Sequence, residues 1–213
     1  MSVLFVAGAG TDIGKTYVAA LLTRALHAAG RPVVAVKPVA SGVGAWDAPE
    51  FASSDTALLL AAQGLSLTAE TVEACTPWRF AAALAPDMAA AREGRSLSLA
   101  ELVGFHAAAL ARAPPGAAVI VEGAGGLMSP VTEDAGCLDW IAAIDAPVLL
   151  VCGSYLGAIS HALTACETLL RHDRPPVALV VSESAGSPVD LRETAAAIAR
   201  RVPAPVAWLS RGA

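Results

Sequence analysis

Charge is scarce in this sequence. Asp, Glu, Lys and Arg together make 15% of the residues against 55% apolar, and the net charge is −5. No Lys/Arg-rich block occurs anywhere along the chain, so the electrostatic footprint of a nucleic-acid-binding protein is missing and no nucleic-acid partner is expected. The apolar surplus argues equally against disorder. Long hydrophobic runs are missing too. None reaches the ~18 residues of a membrane span, and even the alanine-rich stretch 81–91 is cut by Pro86 and Asp87. The first apolar run, Val3 to Val6, has no basic region before it and is too short for a secretory segment. A soluble, cytoplasmic protein without a membrane partner is the expectation. The four cysteines (Cys75, Cys137, Cys152 and Cys166) show no CxxC spacing, which disfavours zinc or disulfides and predicts reduced, mostly buried thiols. No repeat, linker or low-complexity tract divides the 213 residues. They suffice for one well-buried core, so one α/β domain over 1–213 is expected.

What is present is organised around Gly8 to Thr16, GAGTDIGKT. A short apolar run precedes this stretch and an apolar-periodic segment follows it, the strand–loop–helix context of a phosphate-binding loop. Glycines let backbone N–H groups close around phosphate oxygens, and the start of the following helix favours anions. Lys15 can reach the β- and γ-phosphates, and Thr16 can place a hydroxyl on Mg²⁺. The spacing departs from GxxxxGKT: Ala9 stands where the first glycine belongs, between Gly8 and Gly10.

The chain then alternates. Strands are predicted at 3–8, 33–39, 117–122, 147–152, 177–182 and 205–209. Helices are predicted at 15–29, 57–62, 99–112, 137–144, 158–170 and 188–201. Residues 41–53 read as a loop, and 68–95 as a helical excursion that periodicity assigns poorly. Continuous apolar strands between helices predict a mostly parallel, twisted sheet with helices on both faces, a P-loop NTPase-like α/β fold. Lys37 closes an otherwise apolar strand, at the edge where such sheets bind ligands. Glu122 closes another and runs into Gly123-Ala124-Gly125-Gly126, which is either a Walker-B acid with a glycine approach to ligand or a plain glycine turn. Asp55 reads by itself as a helix-capping or first-turn acid. The carboxyl ends of the strands bring together residues 8–16, 37–42, 122–126 and 153–161.

With these residues assembled, the chain resembles the dethiobiotin synthetase family. The matching stretches are GTDIGKT (10–16), KPVASG (37–42), SSD (53–55), PWRF (77–80) with Pro86 and REGR (92–95), VEGAGG (121–126), LGAISHA (156–162) and PAPVAWL (203–209), in family order over nearly the whole length. The resemblance implies ATP- and Mg²⁺-dependent joining of CO₂ to 7,8-diaminopelargonate, closing a cyclic urea and releasing ADP and phosphate. It implies Lys37, Lys15, Thr11 and Ser41 as catalytic residues, with the two hydroxyls facing the amine or carbamate. Thr16, Asp55 and Glu122 would be metal ligands, which favours the functional reading of Asp55. Nucleotide contacts fall on Asp12, Ile13, Gly14, Lys15, Thr16, Tyr17, Asp55, Glu122, Gly123, Ala124, Gly125, Ser182 and Glu183. Substrate contacts fall on Thr11, Ser41, Gly157, Ala158 and Ser160, the last three across a homodimer interface. His161 is read as an interface or core histidine. The alternative reading, a MinD/ParA-like regulatory ATPase, expects a second lysine near the loop's start, where this chain has Gly10.

Four residues and one turn depart from the family pattern. Asp12 stands where glutamate is usual and Ser160 where asparagine is common. Ser182-Glu183 replaces an Asn-Asp pair in the base pocket, next to a shortened turn at 205–208. A hydroxyl offers adenine fewer complementary contacts than an amide. Turnover with GTP and CTP is therefore expected alongside ATP, and strict ATP preference in a comparison of the three would refute loose base selection.

Overall fold

The computed structural model describes residues 2–212. Strand β1 (Ser2–Gly8) is the centre of a six-stranded sheet, flanked by β5 (Ala118–Glu122) and β6 (Val148–Cys152). Outside these lie β2 (Val33–Val36) on one side, and β7 (Ala178–Ser182) and β8 (Val206–Leu209) on the other. Every pairing in the sheet is parallel. The chain reaches β2 and β5 on one side of β1 before crossing to β6, so the carboxyl end of β1 is a point where strand order reverses, the usual place for a ligand crevice.

The strands lack the polar alternation of a half-solvated sheet because both faces are covered. Phe5, Ala7, Val119, Val121 and Leu150 point into one core with Trp140 and Leu169. Val6, Ile120, Leu149 and Val151 point into the other with Val18, Ala19, Leu59 and Leu60. The second core is closed by α1 (Lys15–Ala28), α2 (Asp55–Ala62) and α3 (Ala69–Cys75). The first is closed by α4 (Pro86–Arg92), α5 (Leu99–Arg112), α6 (Cys137–Ile144), α7 (Ala158–Arg171) and α8 (Leu191–Ala199). Caps set several helix starts. Ser54 caps α2 by accepting from Ala57 N, Ser98 and Glu101 form a capping box on α5, and Asp190 accepts from Arg192 N and Glu193 N. All four cysteines are buried thiols without disulfides. No helix among the described residues is long and apolar enough to cross a membrane.

The expected strand 33–39 is corrected. It stops at Val36, because Pro38 has no N–H to continue a ladder. Beyond it, β3 (Val39–Ser41) pairs in parallel with β4 (Trp78–Phe80) in a separate two-stranded sheet. The stretch 68–95 is therefore α3, β4 and α4 rather than helical throughout, and the loop 41–53 contains a 3-10 turn at Pro49–Ser53. The helix expected from 57 begins at Asp55, and the one expected over 188–201 is Leu191–Ala199. At the open edge of β2, the Gln63 side chain takes the place of a missing strand: Ala35 N donates to Gln63 Oε1 (2.9 Å), and Gln63 Nε2 donates to Ala35 O (3.0 Å).

Gly123, at the end of β5, is held against buried side chains. A Cβ there would lie 2.8 Å from both Phe5 Cε1 and Cys137 Sγ, and Phe5 is itself wedged edge-on against Trp140 at 5.1 Å. Gly123→Ala is therefore expected to overpack this core and cost about 1–3 kcal/mol. Gly104→Ala, within α5 and facing open space, is expected to gain up to about 1 kcal/mol. Thermal unfolding of the two variants, moving in opposite directions, checks this.

Candidate active site

The phosphate loop takes its shape from close approaches. Strand β1 ends at Gly8, where a Cβ would lie 2.8 Å from Lys15 Cδ and 3.1 Å from Gly125 O, so the loops after β1 and β5 are in contact. Gly14 caps α1 in the left-handed region at φ 89°, and Asp12 also has a positive φ of 55°. No side chain caps α1 and no acid sits in its first turn. The helix start thus keeps the free N–H groups and positive potential that attract an anion. Lys15 Nζ donates to Gly10 O at 2.9 Å, folding the lysine back over the loop.

Three other elements bring charge to the same place. Strand β5 ends in Glu122, paired in register with Val6 of β1. Lys37 follows β2, and Asp55 opens α2, so the first-turn reading of that acid is correct and its side chain also serves the cluster. Lys37 Nζ donates to Asp55 Oδ2 and to Glu122 Oε1, each at 2.6 Å, and Thr16 Oγ1 donates to the same Glu122 oxygen at 2.6 Å. The Glu122 side chain is fully buried. Burial works against the charge on Lys37, but attraction to Glu122 and Asp55 and their hydrogen bonds outweigh it, raising its pKa above the ordinary lysine value. Burial similarly opposes ionisation of Asp55, yet the Lys37 charge and hydrogen bond hold its carboxyl below the usual range. Lys15 moves the other way: burial and then repulsion from Lys37 lower its pKa. The two cations thus sense each other across one site.

A cavity of about 970 Å³ joins these parts. It is lined by Thr11, Asp12, Ile13, Gly14, Lys15, Thr16 and Tyr17 from the loop and α1, and by Lys37, Ser41, Asp55, Glu122, Ala124 and Gly125 from the other strand ends. Two acceptors within it, Glu122 Oε2 and Ser41 Oγ, are buried without a hydrogen-bond partner. Gly123 lies behind the wall, against Phe5. Ser182 and Glu183 do not line the cavity. Instead the Ser182 hydroxyl packs over the loop, where a Cβ on Gly14 would come within 2.3 Å of it. Gly157, Ala158 and Ser160 are not brought to the cavity either. His161 is exposed, so it is not a core residue, and its Nδ1 is 2.7 Å from Tyr155 Oη.

Sequence reasoning missed several lining residues. Ser129 supports the glycine loop by accepting from Gly126 N at 2.8 Å, and its only signal is a serine three residues past a glycine pair. Phe51 and Ala83 to Ala85 form a further wall with no motif of their own, beside Pro86, which the resemblance includes without a role. Arg211 reaches the cavity from beyond the last strand. Among the described residues no three His, Cys, Asp or Glu side chains group as a metal cage. The oxygen set at Lys37 is two carboxylates and the Thr16 hydroxyl.

A family model described as an AAA domain matches residues 2–208. Among solved structures, the signal recognition particle receptor FtsY from Elizabethkingia anophelis is similar with a TM-score of 0.55 at 18% identity, over 96% of this chain and 57% of that one. The MinC:MinD complex of Aquifex aeolicus gives 0.53 at 11% identity, over 97% and 79%. At such identities these structures establish the P-loop fold and nothing finer. Curated relatives reach further. The ATP-dependent dethiobiotin synthetase BioD of Methylobacterium nodulans is 63% identical over 100% of this chain and 94% of its own. The proteins of that name from a Caulobacter species (47%, covering 93% and 83%) and Acidiphilium cryptum (40%, covering 100% and 99%) also align along most of their length. A phosphate loop facing a buried lysine–carboxylate cluster, on a chain this close to those relatives from end to end, belongs to the ATP-dependent dethiobiotin synthetase family.

Proposed function

We propose that the chain joins CO₂ to 7,8-diaminopelargonate at the expense of ATP, forming dethiobiotin, ADP and phosphate. In that sequence one substrate amine adds to CO₂ and loses a proton, giving a carbamate. A carbamate oxygen attacks the γ-phosphorus as ADP leaves. The second amine then attacks the carbamoyl carbon and expels phosphate, closing the urea. The observation that carries this reading is the convergence of Lys15 and Lys37 on one cavity with the unpartnered Ser41 hydroxyl beside them. The reaction brings two anions together, so positioning and charge neutralisation are its main demands.

Lys37 is the residue best suited to the transferring charge. Its ammonium is kept protonated by Glu122 and Asp55 and is fixed by both hydrogen bonds. Lys15 would exchange its bond to Gly10 O for phosphate oxygens, assisted by the N–H groups of the loop from Asp12 to Thr16. An ion contact at ~4 Å is worth about 4 kcal/mol at an effective dielectric near 20, or roughly a thousandfold in rate if it is made only at the transition state. Thr11 and Ser41 offer hydroxyls to the amine and carbamate.

Thr16, Asp55 and Glu122 fit Mg²⁺. They are hard oxygen donors, and the buried Glu122 Oε2 has no hydrogen-bond partner. These three residues would hold the ion, which would supply positive charge to offset that of the phosphates. Gly157, Ala158 and Ser160 at the start of α7 would bind the substrate carboxylate from a second protomer. In support, the adjoining Leu156 is 83% exposed and Met128 66% exposed, apolar surface of the kind a homodimer covers. We read residues 1–213 as one such catalytic unit, working in the cytoplasm.

Incubation with diaminopelargonate, bicarbonate and MgATP is expected to yield dethiobiotin. Phosphate release that ignores the diamine and responds to lipid or DNA would point to a regulatory ATPase instead. Lys37→Gln is expected to lower turnover by two to three orders of magnitude while nucleotide affinity stays within a few-fold, as measured by steady-state kinetics and titration calorimetry. Near-normal turnover would remove Lys37 from the chemistry.

A further inference from the structure

We infer that Arg211 reads the purine of the bound nucleotide. The inference rests on the assignment of this cavity to ATP and identifies what recognises the base. The end of the chain is bound closely to the loop after β7. Leu209 lies opposite Ser182 in the β7–β8 ladder, and Glu183 N donates to Leu209 O at 2.9 Å. Arg211 N then donates to Glu183 Oε2 at 2.8 Å, and Arg211 Nε donates to Glu183 O at 3.3 Å. One residue therefore holds both the backbone and the root of the guanidinium. The two terminal amino groups of Arg211 have no protein partner among the described residues, although Arg211 lines the same cavity as Gly14 and Tyr17.

The direction of the nucleotide follows from the charges. Phosphoryl transfer belongs at Lys37 and Glu122, and the inner phosphates at Lys15 and the start of α1. The nucleoside must then leave the loop on the side away from Lys37, past Gly14. There Ser182 packs over the backbone and Arg211 stands at the rim. A guanidinium is donor-only and planar. The purine edge supplies the matching acceptor N7, and guanine adds O6, whereas cytosine presents an amino donor at its exposed edge. A purine also offers the larger face for stacking against the guanidinium plane. Ser182 contributes no amide to favour adenine over guanine. This arrangement selects purines as a class, with guanine bound at least as well as adenine, and so narrows the loose base selection expected from the sequence: GTP serves alongside ATP, and CTP poorly.

The test measures Mg²⁺-dependent binding of ADP, GDP and CDP to the full chain by calorimetry, with no diamine present. For the wild type the expected order of affinity is GDP at or above ADP, and both above CDP. Arg211→Ala is expected to weaken ADP and GDP about tenfold, the loss of one charge-assisted hydrogen bond, and to change CDP less than twofold. Arg211→Lys, which keeps the charge and loses the planar fork, is expected to recover only part of the purine affinity. An equal loss for all three diphosphates, the result of a phosphate contact or a disturbed fold, would overturn the proposal. So would unchanged purine affinity in Arg211→Ala, or full recovery in Arg211→Lys. Because binding is read without turnover, absence of dethiobiotin formation would count against the reaction and leave this result standing.

Discussion

The site depends on one buried ion contact: an ammonium shared between two carboxylates, one of which is wholly removed from water. An isolated carboxylate at Glu122 would be prohibitively costly to bury. Its position is tenable because Lys37 and Thr16 both donate to the same oxygen, and because Asp55 supplies the second negative charge that keeps the lysine ionised. A buried pair of this kind is weak evidence for stability, since its desolvation cost offsets much of the attraction. Its value lies in arrangement. Strand β5, the end of β2 and the start of α2 are each tied to the others through a charge, and the phosphate loop joins them through Thr16. The sheet brings these ends to one rim, and the ion contact fixes their distances.

Much of this could be read from residues alone, for identifiable reasons. The glycine loop announces itself because only glycine tolerates backbone as close as Gly10 O lies to Gly8, and because Lys-Thr must open the next helix. Glu122 was legible because an acid closing a five-residue buried strand has no role in packing. Asp55 was ambiguous for a sound reason: a first-turn acid is ordinary, and nothing local distinguishes one that also meets a lysine 18 residues earlier in the chain.

Other features are set by contacts between distant segments and leave little local trace. The break at Pro38 follows from proline's missing donor, yet the pairing of β3 with β4 requires Trp78–Phe80, a stretch whose periodicity is too short to assign. Arg211 lies two residues beyond the last strand and carries no motif. Its position comes from Glu183, 28 residues away. The family resemblance, rather than any local signal, puts Ser182 in the base region. Its packing over Gly14, rather than an open presentation to ligand, is a matter of loop geometry that composition cannot convey.

The Gln63 side chain has a consequence outside catalysis. An outer strand normally offers unpaired amides and carbonyls that can recruit a strand from another molecule. Here a single carboxamide satisfies both groups of Ala35, and just beyond, Lys37 N is taken by Cys75 O. The strand edge at Ala35 and Lys37 is thus closed to intermolecular pairing. Damage to this clasp would first be felt in the crowded cell as self-association and poor yield of soluble protein, before any change in the chemistry was visible.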